Sequence, residues 1–398
     1  MTDETQPSPP APDEQPPTEI ASPRTAGMTG EELAEARRYG RYELACTLAD
    51  KGLDVAYLAV AALWLALPID LWLKDGPFLL DHRWARLLTL FVIVTAGHIG
   101  VSMPLSFYAG YLLEHRFGLS TLTVGRWLWR YVKRNLLALG FGMLIMPGLY
   151  ALIWYTGPLW WLLAAGAFFV VSVLLGRLLP VLILPLFYKI EKLDAPELAE
   201  RIGRLAEGTG LSIQGVYRMD LSEETVKANA MLAGLGRTRR VLLGDTLLDG
   251  FAPEEIEVIF AHEIGHHVLR HIRKMIVAGV LYSTAGFMIC DALLTGHVPF
   301  AAAEAQYAQM PVHTLPLVML ILTVFAMLLE PLQNAVSRRY ERQSDRYALD
   351  RTGAKDAYVS AFRKLARLNK DDPDPHPLDV LLFHSHPPIA QRLTMADE

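Results

Sequence analysis

The chain has 398 residues, of which 52 % are apolar and 20 % charged, against roughly 25 % charged in an ordinary soluble domain. The net charge of −5 argues against a nucleic-acid partner, and two cysteines, Cys46 and Cys290, are too few for a disulfide framework or a cysteine-built metal site. A wholly soluble, a wholly disordered and a disulfide-stapled chain are thereby excluded.

Residues 1–30 hold seven prolines and five acidic residues against the single base Arg24, with no apolar run. Such a segment buries too little apolar surface to offset its chain entropy and reads as a disordered tail, with neither the basic start nor the apolar stretch of a secretory signal.

Six apolar stretches follow, at 55–73, 87–113, 136–155, 158–187, 275–295 and 315–336. A helix needs about 20 such residues to cross a bilayer, so the expected fold is mainly α, a multi-span helical membrane bundle. Tryptophans near the span ends, such as Trp72, Trp84 and Trp160, suit the membrane interface. The segment 114–135 carries Arg116, Arg126, Arg130, Lys133 and Arg134, whereas 296–313 carries no Lys or Arg. Basic residues gather on the cytoplasmic side, so the termini and the segment 188–274 are expected there; Lys74, Arg83 and Arg86 in the short loop 74–86 run against this. Asp70, His98, Arg177, Asp291 and Glu330 lie within spans. Charges at that depth face a bundle interior or a wet cavity, or snorkel to the interface.

The chemistry sits at 260–267, Phe-Ala-His-Glu-Ile-Gly-His-His. Pro253, Glu254 and Glu255 mark a helix start, with proline in the first turn and acids at the positive end of the dipole. On that helix His262 and His266 are one turn apart and share a face, which suits two nitrogen ligands on one zinc ion. Glu263, one step round, is placed to take a proton from water. A catalytic zinc takes three protein ligands. His267 points elsewhere, and His271 is two turns on, too far to share the ion. A distant acid is therefore expected. In the segment 337–348, Glu341 and Asp345 are one turn apart: Glu341 can complete the ligand set while Asp345 accepts the free ring N–H of a ligand histidine. Taken alone, that segment reads equally as an amphipathic surface of Glu–Arg pairs.

These motifs together resemble the type I CAAX prenyl protease family of integral-membrane zinc metalloproteases. The HExxH sequence is followed about 75 residues later by Arg338-Arg-Tyr-Glu-Arg-Gln-Ser-Asp. Asn229-Ala-Met-Leu-Ala-Gly-Leu-Gly resembles the family's strand segment, His384-Ser-His-Pro-Pro-Ile-Ala-Gln-Arg-Leu its C-terminal motif, and Leu113-Glu-His-Arg-Phe-Gly its stretch after the second span. The resemblance implies a ring of spans enclosing a water-filled chamber, and a cytoplasmic zinc-protease domain carrying a small β-sheet. It implies one Zn2+ per chain on His262, His266 and Glu341, with Glu263 as general base. It further implies that Asn229 and Ala230 hold an extended peptide and that His386 and Arg392 stabilise the oxyanion. Long members have seven spans where six are read here, and Ser344 stands where alanine is usual.

The expected organisation is a tail at 1–30, a four-span membrane domain at 31–187, and a metallopeptidase domain at 188–398 that adds the last two spans. A strand is expected at 238–248, with Gly234 and Gly236 in a hairpin turn; its exposed edge could bind peptide through main-chain hydrogen bonds. Expected partners are a peptide or protein substrate and the lipid bilayer. The substrate is either a prenylated C-terminus or peptides and damaged membrane proteins; the acidic tail and Ala/Leu-rich spans suggest a bacterial cell membrane, which favours general processing or quality control. A transporter or scaffold with a structural zinc is the alternative, and Glu263 speaks against it because a structural site needs no base.

Overall fold

In a computed structural model of the protein, residues 22–76, 81–234, 239–297 and 303–398 are described. Of the expected tail, residues 1–21 lie outside them. Residues 22–29 are folded, which corrects the tail boundary. Ala26 (φ 50°) and Gly27 (φ 69°) turn the chain through the left-handed region, and Ala26 and Met28 are buried in a cluster with Val258, Tyr358 and Ile389. Arg367 donates from its guanidinium to the Gly27 carbonyl.

Helix α1 then runs Gly30–Asp75. Thr29 begins it with a reciprocal cap, its hydroxyl accepting from Glu32 N at 3.2 Å and its N–H donating to the Glu32 carboxylate at 2.7 Å. At 1.5 Å per residue α1 is about 69 Å long, more than twice the ~30 Å hydrocarbon core. Its first half therefore stands clear of the bilayer. Helices α2 (Arg83–Arg116), α3 (Val124–Thr156) and α4 (Trp160–Leu178) follow. The third and fourth expected spans share one helical stretch, Val124–Leu186, so six spans lie on five long helical stretches. The turn between them is at Gly157, whose φ of 58° a residue with a side chain rarely adopts.

The bundle core buries Leu87, Leu90, Tyr150, Ile153 and Trp160, together with Leu315. Leu63, Trp64, Leu144 and Leu281 face outward and exposed, an apolar exterior that suits lipid and not water. Four of the five ionisable residues within spans are partnered. Asp70 meets Arg86 at 3.0 Å, His98 meets Asp54 at 2.7 Å, Glu330 meets Lys51 at 2.5 Å, and Asp291 accepts from Trp160 Nε1 at 2.7 Å.

A four-stranded sheet follows the fourth span: β1 (Ile190–Lys192), β2 (Gly215–Met219), β3 (Ala230–Ala233) and β4 (Arg240–Gly244), in spatial order β1-β2-β4-β3. Helix α5 (Pro196–Ala206) links β1 to β2. β2 and β4 are parallel, and the flanking pairs are antiparallel, with Ala230 opposite Leu243. The strand expected at 238–248 ends at Gly244, and Asp245–Gly250 is helix α6. The buried Asp245 carboxylate stops the strand by gathering the N–H groups of Leu221, Ser222 and Thr246 at 2.8, 3.0 and 2.9 Å. Gly234 turns with φ 97°, while Gly236 lies outside the described residues.

Helix α7 (Pro253–Val268) crosses the sheet, burying Ile256, Phe260 and Ile264 against Val241, Leu243 and Leu247. Each fully buried side chain of this size contributes about 1.5–3 kcal/mol. Helices α8 (His271–His297), α9 (Ala303–Ala308) and α10 (Leu315–Thr352) follow, then α11 (Lys355–Asn369), α12 (Pro377–Phe383) and α13 (Ile389–Met395). α10 is about 57 Å long for its 38 residues. It crosses the bundle with its apolar first half and lies along α7 with its charged second half.

Candidate metal centre

α7 and α10 approach closely where Gly265 meets Ser344: a methyl built on Gly265 would lie 3.0 Å from the Ser344 Cα. The missing side chain brings His262 and His266 within reach of Glu341 and Asp345. His262 Nε2 and His266 Nε2 are 3.2 Å apart; Glu341 Oε2 lies 3.1 Å from the first and Glu341 Oε1 3.2 Å from the second. Tetrahedral zinc with bonds of about 2.0–2.1 Å sets neighbouring ligand atoms about 3.3 Å apart, so the two nitrogens and the carboxylate converge as a metal's ligands do. Glu341 Oε2 is buried with no well-angled hydrogen bond, although His262 Nε2 and His386 Nδ1 lie 3.1 and 2.8 Å away. An acceptor left short of hydrogen bonds among imidazole nitrogens is the donor set of a cation site. Burial disfavours the His262 imidazolium, but Asp345 and Glu341 outweigh it and hold its pKa at about 9; the pocket favours positive charge.

The other edge of His262 faces Asp345, with Nδ1 2.8 Å from Oδ1. A carboxylate there keeps the proton on Nδ1, so that Nε2 is the nitrogen left to a bound metal. Arg392 grips the same carboxylate, Nε donating to Oδ2 at 2.9 Å and Nη2 to Oδ1 at 2.5 Å, with its guanidinium 3.9 Å above the Phe362 ring. Arg392 meets the Nδ1 edge of His262 and also lines the adjoining cavity, held there because Asp345 is a buried anion that needs a partner. His386 is exposed and stands on the ligand side, against Glu341.

A cavity of about 940 Å³ opens beside these residues. Glu263, Asn229, Ala230 and His386 line it, with Arg41 and Lys51 from α1 opposite. β3 is the outer strand of the sheet, so Asn229 and Ala230 sit at an edge that can accept another strand.

A polar clamp anchors this edge. Lys227 Nζ lies 3.0 Å from the Tyr39 hydroxyl and 3.1 Å from Glu114, while Ala228 N donates to Asn369 Oδ1 at 3.2 Å. The sequence reading passed over Lys227 and Tyr39. Their signal was the motif at Glu114, quoted without a role.

Long apolar helices around a converging His–His–Glu set, with Glu263 in the adjoining cavity, define a membrane metallopeptidase. The chain belongs to peptidase family M48, whose sequence model matches residues 192–398. That of the CAAX prenyl protease N-terminal region, five membrane helices, matches residues 13–189. Among the described residues of that segment, four long helices are present. The chain is 30 % identical over 299 residues to the uncharacterized metalloprotease YhfN of Bacillus subtilis, covering 75 % of this chain and 70 % of that protein. It is 31 % identical over 328 residues to CAAX prenyl protease 1 of Saccharomyces cerevisiae, covering 75 % and 69 %. The crystal structure of S. mikatae Ste24p superposes with a TM-score of 0.82 over 96 % of this chain and 91 % of that one, at 24 % identity. The protein is therefore a CAAX prenyl protease-like, multi-pass membrane metalloendopeptidase whose spans form a chamber.

Proposed function

We propose that the chain is a zinc-dependent endopeptidase that draws peptide segments of membrane-associated proteins into its cavity as extended strands. The observation that carries this is the convergence of His262, His266 and Glu341 beside Glu263 and the free β3 edge. A zinc ion on these three residues would supply Lewis acidity, polarising a carbonyl and making a water acidic enough to lose a proton near pH 7. Glu263 takes that proton and returns it to the leaving amine. His386 donates a hydrogen bond to the developing oxyanion. Asn229 and Ala230 pair with the substrate backbone, which fixes its register without reading its sequence. Arg392 acts through Asp345, holding the His262 ring in place.

The family boundaries support a membrane half at 31–187 and a peptidase half at 188–398, the latter adding α8 and α10 to the bundle. The basic segments at 114–135 and 338–342 support a cytoplasmic active site. Main-chain recognition favours general peptide processing over a strict prenyl requirement. The test is cleavage of a quenched-fluorescence peptide, with and without a farnesylated cysteine, by detergent-purified protein before and after chelation. The reading expects cleavage of both peptides, loss on chelation and recovery with zinc. Cleavage of the farnesylated peptide alone would replace the general substrate class, and activity that survives chelation would remove the metal.

A further inference from the structure

His271 is fully buried, yet the mechanism above does not use it. Its Nδ1 lies 3.2 Å from His266 Nδ1, and its Nε2 lies 2.9 Å from Gln343 Oε1. The ring stacks on Tyr340 with centroids 4.3 Å apart and an interplanar angle of 13°.

The backbone accounts for this placement. Had α7 continued unbroken, His271 would sit five residues past His266 and about 140° round the helix, facing away. Instead α7 ends at Val268, and Arg270 takes a φ of 58°, a left-handed conformation uncommon for a residue with a side chain. The break starts α8 in a new direction and turns the His271 ring back onto the non-ligand edge of His266. Backbone strain of this kind persists where the surrounding structure enforces it.

The hydrogen bonds then follow in one sense. Gln343 Oε1 only accepts, so His271 Nε2 carries the proton and His271 Nδ1 is bare. A bare Nδ1 requires His266 Nδ1 to be the donor. His266 Nε2 is thereby left without a proton, aimed at Glu341 Oε1 3.2 Å away and at His262 Nε2. We infer that His271 and Gln343 form a positioning relay that locks His266 in its metal-binding tautomer, as Asp345 does for His262. The relay would use two neutral groups where the other histidine has an anion, so the ligand set would gain no further negative charge. This rests on the zinc reading of the site and adds two residues to it.

The experiment is zinc affinity measured by chelator competition on the purified full chain, wild type beside His271→Phe, Gln343→Leu and Gln343→Glu. Phenylalanine keeps the stack on Tyr340 and removes the acceptor. The leucine removes the acceptor at 343, and the glutamate keeps one. His271→Phe and Gln343→Leu should each weaken zinc about 10- to 100-fold, the range for groups that orient a metal ligand, while Gln343→Glu stays close to wild type. Wild-type affinity in a folded His271→Phe protein would overturn the relay, as would equal losses in the two Gln343 variants. If His271→Phe fails to fold, the Gln343 pair decides. A wild-type protein that binds no zinc would instead overturn the metal centre itself, so the two failures are distinguishable.

Discussion

Asp345 serves two neighbours at once, His262 on one side and the Arg392 guanidinium on the other, and all three are buried. Asp345→Ala would leave the Arg392 charge without its partner, a change that costs about 3–5 kcal/mol. It would also free the His262 ring. The expected outcome is a lower melting temperature of the metal-free protein together with weaker zinc binding. Unchanged stability would mean that the pair is not closed as described. At this scale the sequence was most legible where helical spacing does the work. His262 with His266, and Glu341 with Asp345, are one-turn pairs whose shared face follows from 3.6 residues per turn. Arg392 was legible as important only through resemblance, because nothing local in the sequence says which buried anion it meets. His271 was judged by the same helical arithmetic and set aside. That arithmetic assumes an unbroken helix, and the left-handed Arg270 breaks it.

At the scale of elements, the site is the crossing of α7 and α10, and Gly265 sets its closeness. Gly265→Ala raises helix propensity by about 1 kcal/mol, yet its methyl would meet the Ser344 backbone at 3.0 Å. Because backbone cannot swing aside, α7 must shift against α10. Weaker zinc binding and reduced cleavage are expected despite the better helix former; full activity would show that the crossing tolerates the shift. The β4–α6 junction gives a pH prediction. Burial pushes the Asp245 carboxyl up, but hydrogen bonds from Ser222, Leu221 and Thr246 outweigh it and hold its pKa below the ordinary 3.8. A depressed folded value means that the carboxylate stabilises fully above the unfolded pKa and loses that contribution as pH falls through the folded one. The stability advantage of metal-free wild type over Asp245→Asn should therefore be flat near neutrality and shrink only below about pH 4. An advantage that grows on acidification would contradict the assignment. The helical elements were legible from apolar run length. The early end of β4 was not, because Leu247 and Leu248 continue the apolar pattern and two of the N–H groups that stop it, those of Leu221 and Ser222, are over 20 residues away in sequence.

Across the whole molecule, α1 and α10 belong both to the membrane and to the site. α10 carries a span and then Glu341 and Asp345, while α1 carries the cavity wall at Arg41 and Lys51 and then a span. Their Lys51–Glu330 contact of 2.5 Å joins the two. The metal centre is thus tied to the bundle through the continuous α10 and this contact. Residues 188–398 expressed alone should aggregate or stay with membranes and cleave nothing, since α8 and α10 would lose the bundle core that Leu90, Tyr150 and Trp160 supply. A soluble, active fragment would contradict this. The span pattern made the bundle legible. The cavity wall was not, because only the folded structure shows that α1 and the β3 edge line the same cavity.

The central claim is that His262, His266 and Glu341 hold the metal while Glu263 does the proton work. The most direct test measures zinc per chain and peptide cleavage in one detergent preparation, wild type beside Glu263→Gln. The prediction is one zinc in both proteins, cleavage by wild type, and a rate at least about 100-fold lower in the variant. Zinc in both with equal cleavage would contradict the role of Glu263, and a wild-type protein that cleaves without zinc would contradict the centre.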